Sequence, residues 1–108
     1  MAGGREELQV YSVGPVTVLG FGGREILDQI DIGSCRLQIV NLVKTHQVQT
    51  LAFDLTGVKL MPSGMLGLLA SLRELGVVVE LYNPSEDIQE VLQVTRLNEL
   101  LTIRQLEE

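Results

Sequence analysis

Phe53-Asp54-Leu55-Thr56-Gly57-Val58-Lys59-Leu60-Met61-Pro62-Ser63-Gly64-Met65-Leu66-Gly67 is the stretch whose reading decides the fold. It begins inside the nearly continuous apolar run of residues 48–55, where Leu51-Ala52-Phe53 suits a strand covered on both faces, as in the middle of a parallel sheet. Thr56 to Pro62 then forms a loop, and Met65, Leu66, Leu68, Leu69 and Leu72 recur at helical spacing until Leu75-Gly76, where glycine closes helices in the left-handed conformation. Ser63 follows a proline and precedes that periodic run, so it is the natural N-cap of the helix.

The elements around this phrase extend the same alternation. Toward the amino terminus, residues 8–13 and 16–21 are strand-like runs joined by Gly14-Pro15, which is hairpin chemistry. Gly22-Gly23 breaks the second run, and Ile32, Cys35, Ile39, Leu42 and Val43 then predict a helix over about residues 31–45, with Asp31 near its start and Lys44 near its end to suit the helix dipole. Toward the carboxyl terminus, residues 77–82 form a strand stopped by Asn83-Pro84-Ser85. Ser85 can cap a third helix whose apolar face is Ile88, Val91 and Leu92, and Leu97, Leu100 and Leu101 extend a last helical turn. The order β-β-α-β-α-β-α requires crossovers between parallel neighbours and predicts an α/β domain with a four- to five-stranded mixed sheet and helices packed against it. The expected ordered core covers about residues 8–104 of a single domain spanning 1–108, between a frayed start and a solvated acidic tail at 105–108.

Composition restricts the partners. At 108 residues and 45% hydrophobic content there is apolar material for one core and too little length for two ordinary domains. A net charge of -6, with two Tyr and two Phe, leaves no basic stripe and few rings for stacking, which argues against nucleic acid. The apolar stretches are short and interrupted by charges, and the first residues lack an apolar leader core, so the chain reads as cytoplasmic without a membrane span. Cys35 is the single cysteine, which excludes an internal disulfide and a multi-cysteine metal site.

Chemistry concentrates at the loop and helix start. A helix N-terminus tolerates an anion, because its free amides and dipole favour negative charge, so Ser63 can be a plain cap or a phosphate carrier. Asp54, at the exit of the central strand, superficially resembles an aspartyl-phosphate nucleophile. The sequence supplies neither a magnesium-binding acidic partner nor a recognisable cation for phosphoryl transfer, so a loop carboxylate accepting backbone hydrogen bonds is the better reading. Cys35 and His46 lie about three turns apart on one helix and do not form a catalytic pair. Gly20-Phe21-Gly22-Gly23 lacks the features of a phosphate cradle and reads as a turn. No catalytic residue, metal ligand or cofactor motif emerges.

With these residues in place, the chain resembles the STAS family, the sulphate-transporter and anti-sigma-factor-antagonist class. The phrases Asp54-Leu55-Thr56, Leu60-Met61, Pro62-Ser63 and Leu66-Gly67 are similar to its strand-loop-helix signature. Ile26-Leu27-Asp28 is similar to the acidic position after its second strand, and the segment from Val91 to Ile103 resembles its closing phrase. Pro62 departs from the family's usual Asp or Ser, and Gly64 stands where Ser, Thr or Ala is common. The resemblance implies a non-enzymatic module that binds an anti-sigma factor or a related serine-kinase-like regulatory ATPase. Ser63 would be the phosphoacceptor, and Asp28, Asp54, Pro62, Ser63, Gly64 and Met65 the partner-binding positions, with Asp28 and Asp54 clustered about Ser63. The alternative is a STAS adaptor that serves a signalling or transport assembly without phosphorylation.

Overall fold

The computed structural model describes residues 8–27 and 30–105. The expectations for the frayed start, for Asp28 and for most of the acidic tail lie outside these residues. Five strands form one sheet in the order β1-β2-β3-β4-β5, namely Gln9–Ser12, Val16–Gly20, Thr50–Asp54, Val78–Tyr82 and Thr102–Arg104. β1 runs antiparallel to β2, and all later neighbours are parallel. Helices α1 (Ile32–His46), α2 (Ser63–Ser71) and α3 (Glu86–Val94) make the three crossovers, and short 3-10 turns follow α2 (Leu72–Leu75) and α3 (Leu97–Glu99).

Local chemistry accounts for the boundaries. In the hairpin, the Thr17 hydroxyl is fully buried and donates to the Gly14 carbonyl at 2.9 Å, which satisfies the one polar side chain buried among the described residues. Asp31 caps α1 by accepting the Ser34 N–H at 3.0 Å, and Ser85 caps α3 by accepting the Ile88 N–H at 3.2 Å. The α2 segment ends in the 3-10 turn, which Gly76 closes at φ 82°. Gly22 and Gly23, at φ 64° and 82°, form the turn after β2.

Two features differ from the sequence reading. The last helical turn is present as the 3-10 turn at Leu97–Glu99, but a strand not expected from the sequence follows it, as residues 102–104 add β5 beside β4, with Leu81 level with Ile103. Nor is β3 covered by helices on both faces. Because strand order follows chain order from β2 to β5, right-handed crossovers all step the same way and place every helix on the same side. That side carries Leu19, Leu51, Phe53, Val79 and Leu81, each at most 1% exposed. The opposite side carries Val16 and Val78, which are 54% and 52% exposed. Ala52 belongs to this open side and is still buried, because its methyl group lies level with the larger Val18 and Glu80 side chains.

The helix-covered core unites Leu51, Phe53, Met65, Leu69 and Leu81 with Cys35 and Ile39 of α1 and Ile88 and Leu92 of α3. Helix α2 lies close to α1. A Cβ on Gly64 would stand 2.8 Å from the Ile32 Cδ1, and Arg36 donates to the Ser71 hydroxyl at 3.2 Å.

Two measurements check this account. Phe53→Ala is expected to lower unfolding free energy by about 3–5 kcal/mol, and Ser85→Ala by about 1 kcal/mol, in urea titrations. The hydrogen bond from the Ser34 backbone holds the Asp31 carboxyl below its ordinary range. A carboxyl depressed in the folded state contributes stability above its unfolded pKa and loses it as pH falls through the folded pKa. The urea midpoint difference between wild type and Asp31→Ala is therefore largest at neutral pH and shrinks in acid.

Candidate functional site

The carboxyl ends of the parallel strands gather the loops that leave the sheet. Residues Gly20, Asp54, Tyr82 and Arg104 are level with one another across β2 to β5. Above this row, the loop after β2 and the loop after β3 pair through a short parallel bridge between Ile26 and Leu60. Lys59 N–H and Leu60 N–H both donate to the Glu25 carbonyl, at 2.7 and 3.2 Å, and Leu27 N–H donates to the Leu60 carbonyl at 3.2 Å. Lys59 and Glu25 also approach at 3.8 Å as an exposed ion pair, a geometry that contributes little in water. The backbone bonds set the shape of this pair of loops.

Pairing the loops fixes an apolar surface beside the start of α2. Ile26 and Leu60 are 50% and 53% exposed, and with Met61 and Pro62 they line a shallow depression of about 250 Å³. Exposed large apolar side chains held together in one place mark interaction surfaces more often than scattered ones do. The sequence phrases contained Ile26, Leu60 and Met61, but only the parallel bridge between two separate loops brings them together.

Ser63 sits next to this depression in a role that differs from the expected cap. Pro62 is the N-cap, with φ -64° and ψ 150°, and makes no side-chain capping bond; Ser63 is the first residue inside the helix. The Pro62 carbonyl accepts the N–H groups of Met65 at 2.9 Å and Leu66 at 3.3 Å. The N–H groups of Ser63 and Gly64 belong to exposed residues at the helix end, where no intrahelical acceptor exists. Among the described residues, the Ser63 hydroxyl has no hydrogen-bond partner and is not used up as a cap.

The remaining predicted positions divide. Pro62 and Gly64 lie beside Ser63, half-buried and exposed respectively. Met65 is fully buried, because it faces the sheet one turn along α2, so it supports the surface from below without presenting itself to a partner. Asp54 is not gathered to Ser63. It lies on the open side of the sheet, where its Oδ1 accepts the Thr56 N–H at 3.0 Å, the loop-carboxylate role. It lines a separate depression with Val16, Val18, Ala52, Tyr82 and Asn83. Asp28 lies outside the described residues. Near Asp54, the Tyr82 hydroxyl donates to Glu80 at 2.8 Å, and this bond to a carboxylate holds the phenol above its ordinary range. Arg104 reaches the other Glu80 oxygen at 3.2 Å. No group of three metal-ligating side chains occurs among the described residues, and no helix among them is long and apolar enough to cross a membrane.

No protein-family model matches the chain, and no curated protein matches it. Solved structures do. The anti-sigma factor antagonist SpoIIAA in its unphosphorylated form is similar with a TM-score of 0.76 at 21% identity, covering 94% of this chain and 89% of that one. A STAS domain protein from Planctomyces limnophilus gives a TM-score of 0.77 at 22% identity, covering 96% of this chain and 93% of its own. The phosphorylated form of SpoIIAA, described as a Bacillus cell fate determinant, gives 0.65 at 21% identity, covering 94% and 92%. The fold is therefore that of the STAS anti-sigma factor antagonists, a five-stranded mixed sheet with three helices.

The different burial of Leu60 and Met65 separates surface from support. Leu60→Ala is expected to change unfolding free energy by no more than about 0.5 kcal/mol, and Met65→Ala to lower it by about 2–5 kcal/mol, by urea titration of both variants.

Proposed function

We propose that this chain is a protein-binding module of the anti-sigma-factor-antagonist kind, which docks an anti-sigma factor or a related serine-kinase-like regulatory ATPase and is switched by phosphorylation of Ser63. The observation that carries this reading is the free, exposed Ser63 hydroxyl on the first turn of α2, bordered by the apolar surface of Ile26, Leu60, Met61 and Pro62. An apolar partner side chain buried in that depression would supply affinity, and the polar groups around it would fix orientation.

Phosphorylation would act directly on this surface. A phosphate adds about -1.5 to -2 charges, and the N–H groups of Ser63 and Gly64 with the positive helix end would stabilise it. The same charge would stand at the edge of an apolar contact, where desolvation penalises it and the partner is lost. The fold likeness to SpoIIAA, solved in unphosphorylated and phosphorylated forms, supports the reading. Pro62 carries no side-chain donor or acceptor, so a kinase would recognise the loop by its shape and apolar surface. Asp28 remains a candidate acidic neighbour of Ser63, and the setting of such a switch is the bacterial cytoplasm.

The test is affinity capture from a lysate of the source organism with wild type, Ser63→Glu and Leu60→Glu, identifying captured proteins by mass spectrometry. The expected result is an ATPase of the anti-sigma kind recovered by wild type and reduced at least tenfold by either substitution. The captured ATPase should then phosphorylate wild type and leave Ser63→Ala unmodified. Equal recovery by wild type and Ser63→Glu, with loss in Leu60→Glu, would replace the switch with a constitutive adaptor on the same surface.

A further inference from the structure

The open side of the sheet holds a second surface that the reading above does not use. Its depression has a volume of about 270 Å³ and is lined by Val16, Val18, Ala52, Asp54, Tyr82 and Asn83. The floor is aliphatic, and a carboxylate stands at the carboxyl end of the central strand.

The two carboxylates on this side are in different states. Glu80 is engaged on both oxygens, by the Tyr82 hydroxyl and by Arg104. Asp54 accepts one backbone N–H on Oδ1, and among the described residues no cation lies within ion-pair distance of it. A half-exposed carboxylate beside an aliphatic floor is complementary to a group with an apolar stem and a cationic head. Arginine and lysine side chains have that form, laying methylenes on apolar surface and directing charge to an acid.

The extent of the surface favours a chain segment over a free small cation. Val16 is level with Thr50 and Val78, and Gly20 is level with Asp54. The apolar track from the level of Val16 to Asp54 therefore covers four residue steps, about 13 Å along the strands. Val78, more than half exposed and level with Val16, widens it past the lining of the depression.

We propose that this side of the sheet binds an extended segment of a basic partner protein, with one arginine or lysine side chain lying across Val18 and Ala52 and its cation paired to Asp54. The site is separate from Ser63 and does not depend on the switch.

The test uses the full chain, labelled with nitrogen-15, and the capped tripeptide valine-arginine-valine as probe. A matched peptide carries citrulline, which keeps the shape of arginine and removes its charge. Titration with the arginine peptide is expected to shift the amide resonances of Val18, Ala52, Asp54 and Tyr82, with binding at least fivefold weaker for the citrulline peptide. Asp54→Asn retains an acceptor for the Thr56 N–H and should bind the two peptides equally and weakly. The proposal is overturned by equal binding of both peptides to wild type, by shifts confined to Ile26 and residues 60–64, or by no shifts at millimolar peptide. Binding of n-butylguanidinium as tightly as the arginine peptide would overturn the partner segment in favour of a free small cation.

Discussion

The arrangement depends on the parallel hydrogen bonding of β3 to both of its neighbours. Residues 50–54 pair with 16–20 on one side and 78–82 on the other without a shift in register. This brings the exits of three strands to one level, so the loops after β2 and β3 start side by side and can bond to each other before either reaches its helix. The bonds from Lys59, Leu60 and Leu27 follow from that starting position. Leu51 and Phe53 hold the strand in place by facing the helices with no exposed surface. A one-residue slip would turn both to the open side and bring Ala52 and Asp54 under the helices, which burial strongly disfavours.

The start of α2 shows a local compromise within this frame. A Ser, Thr, Asp or Asn at the N-cap typically contributes about 0.5–2 kcal/mol, and Pro62 forgoes the side-chain part of it. The helix persists because Met65, Leu66, Leu68 and Leu69 are all buried, and tertiary packing of an apolar face exceeds what a cap contributes. Moving the proline into the cap position shifts Ser63 one place along the chain, where its hydroxyl is not needed by the helix. Packing thus holds the segment while leaving its most reactive polar atom exposed.

Much of this architecture was legible in the sequence, and the misses have physical causes. The start of α1 near Asp31, the cap at Ser85, the Gly14-Pro15 hairpin and the central position of β3 follow from residues whose conformational preferences agree with their surroundings. Strand β5 was hidden because its three residues follow Leu97, Leu100 and Leu101, whose spacing is helical, and because its strand character comes from pairing with β4. The open side of the sheet was hidden for a related reason. Ala52 completes an apolar run that looks doubly covered, although its burial comes from neighbouring strands and not from a helix. At the candidate site, proximity along the chain misled the placement of Asp54, since the eight residues between it and Ser63 cross from one side of the sheet to the other.

That crossing is a consequence of the pleat. Asp54 and Leu55 are consecutive, yet Asp54 is half-exposed on the open side and Leu55 is fully buried. Beyond Leu55, Val58 is also buried, with its N–H on the Leu55 carbonyl, so the loop turns over the strand end toward the helix-covered side before Leu60 emerges at the surface. The acidic group of the central strand and the hydroxyl of α2 are therefore held apart by buried apolar residues. A charge added at Ser63 would act first on the loop pair and the end of α2. The surface around Asp54 would sense it only through the rigid strand end or weakly across solvent, where screening limits its reach to about 8–10 Å. The fold thus places the carboxylate of the central strand and the hydroxyl of α2 on different faces at the same edge of one small sheet.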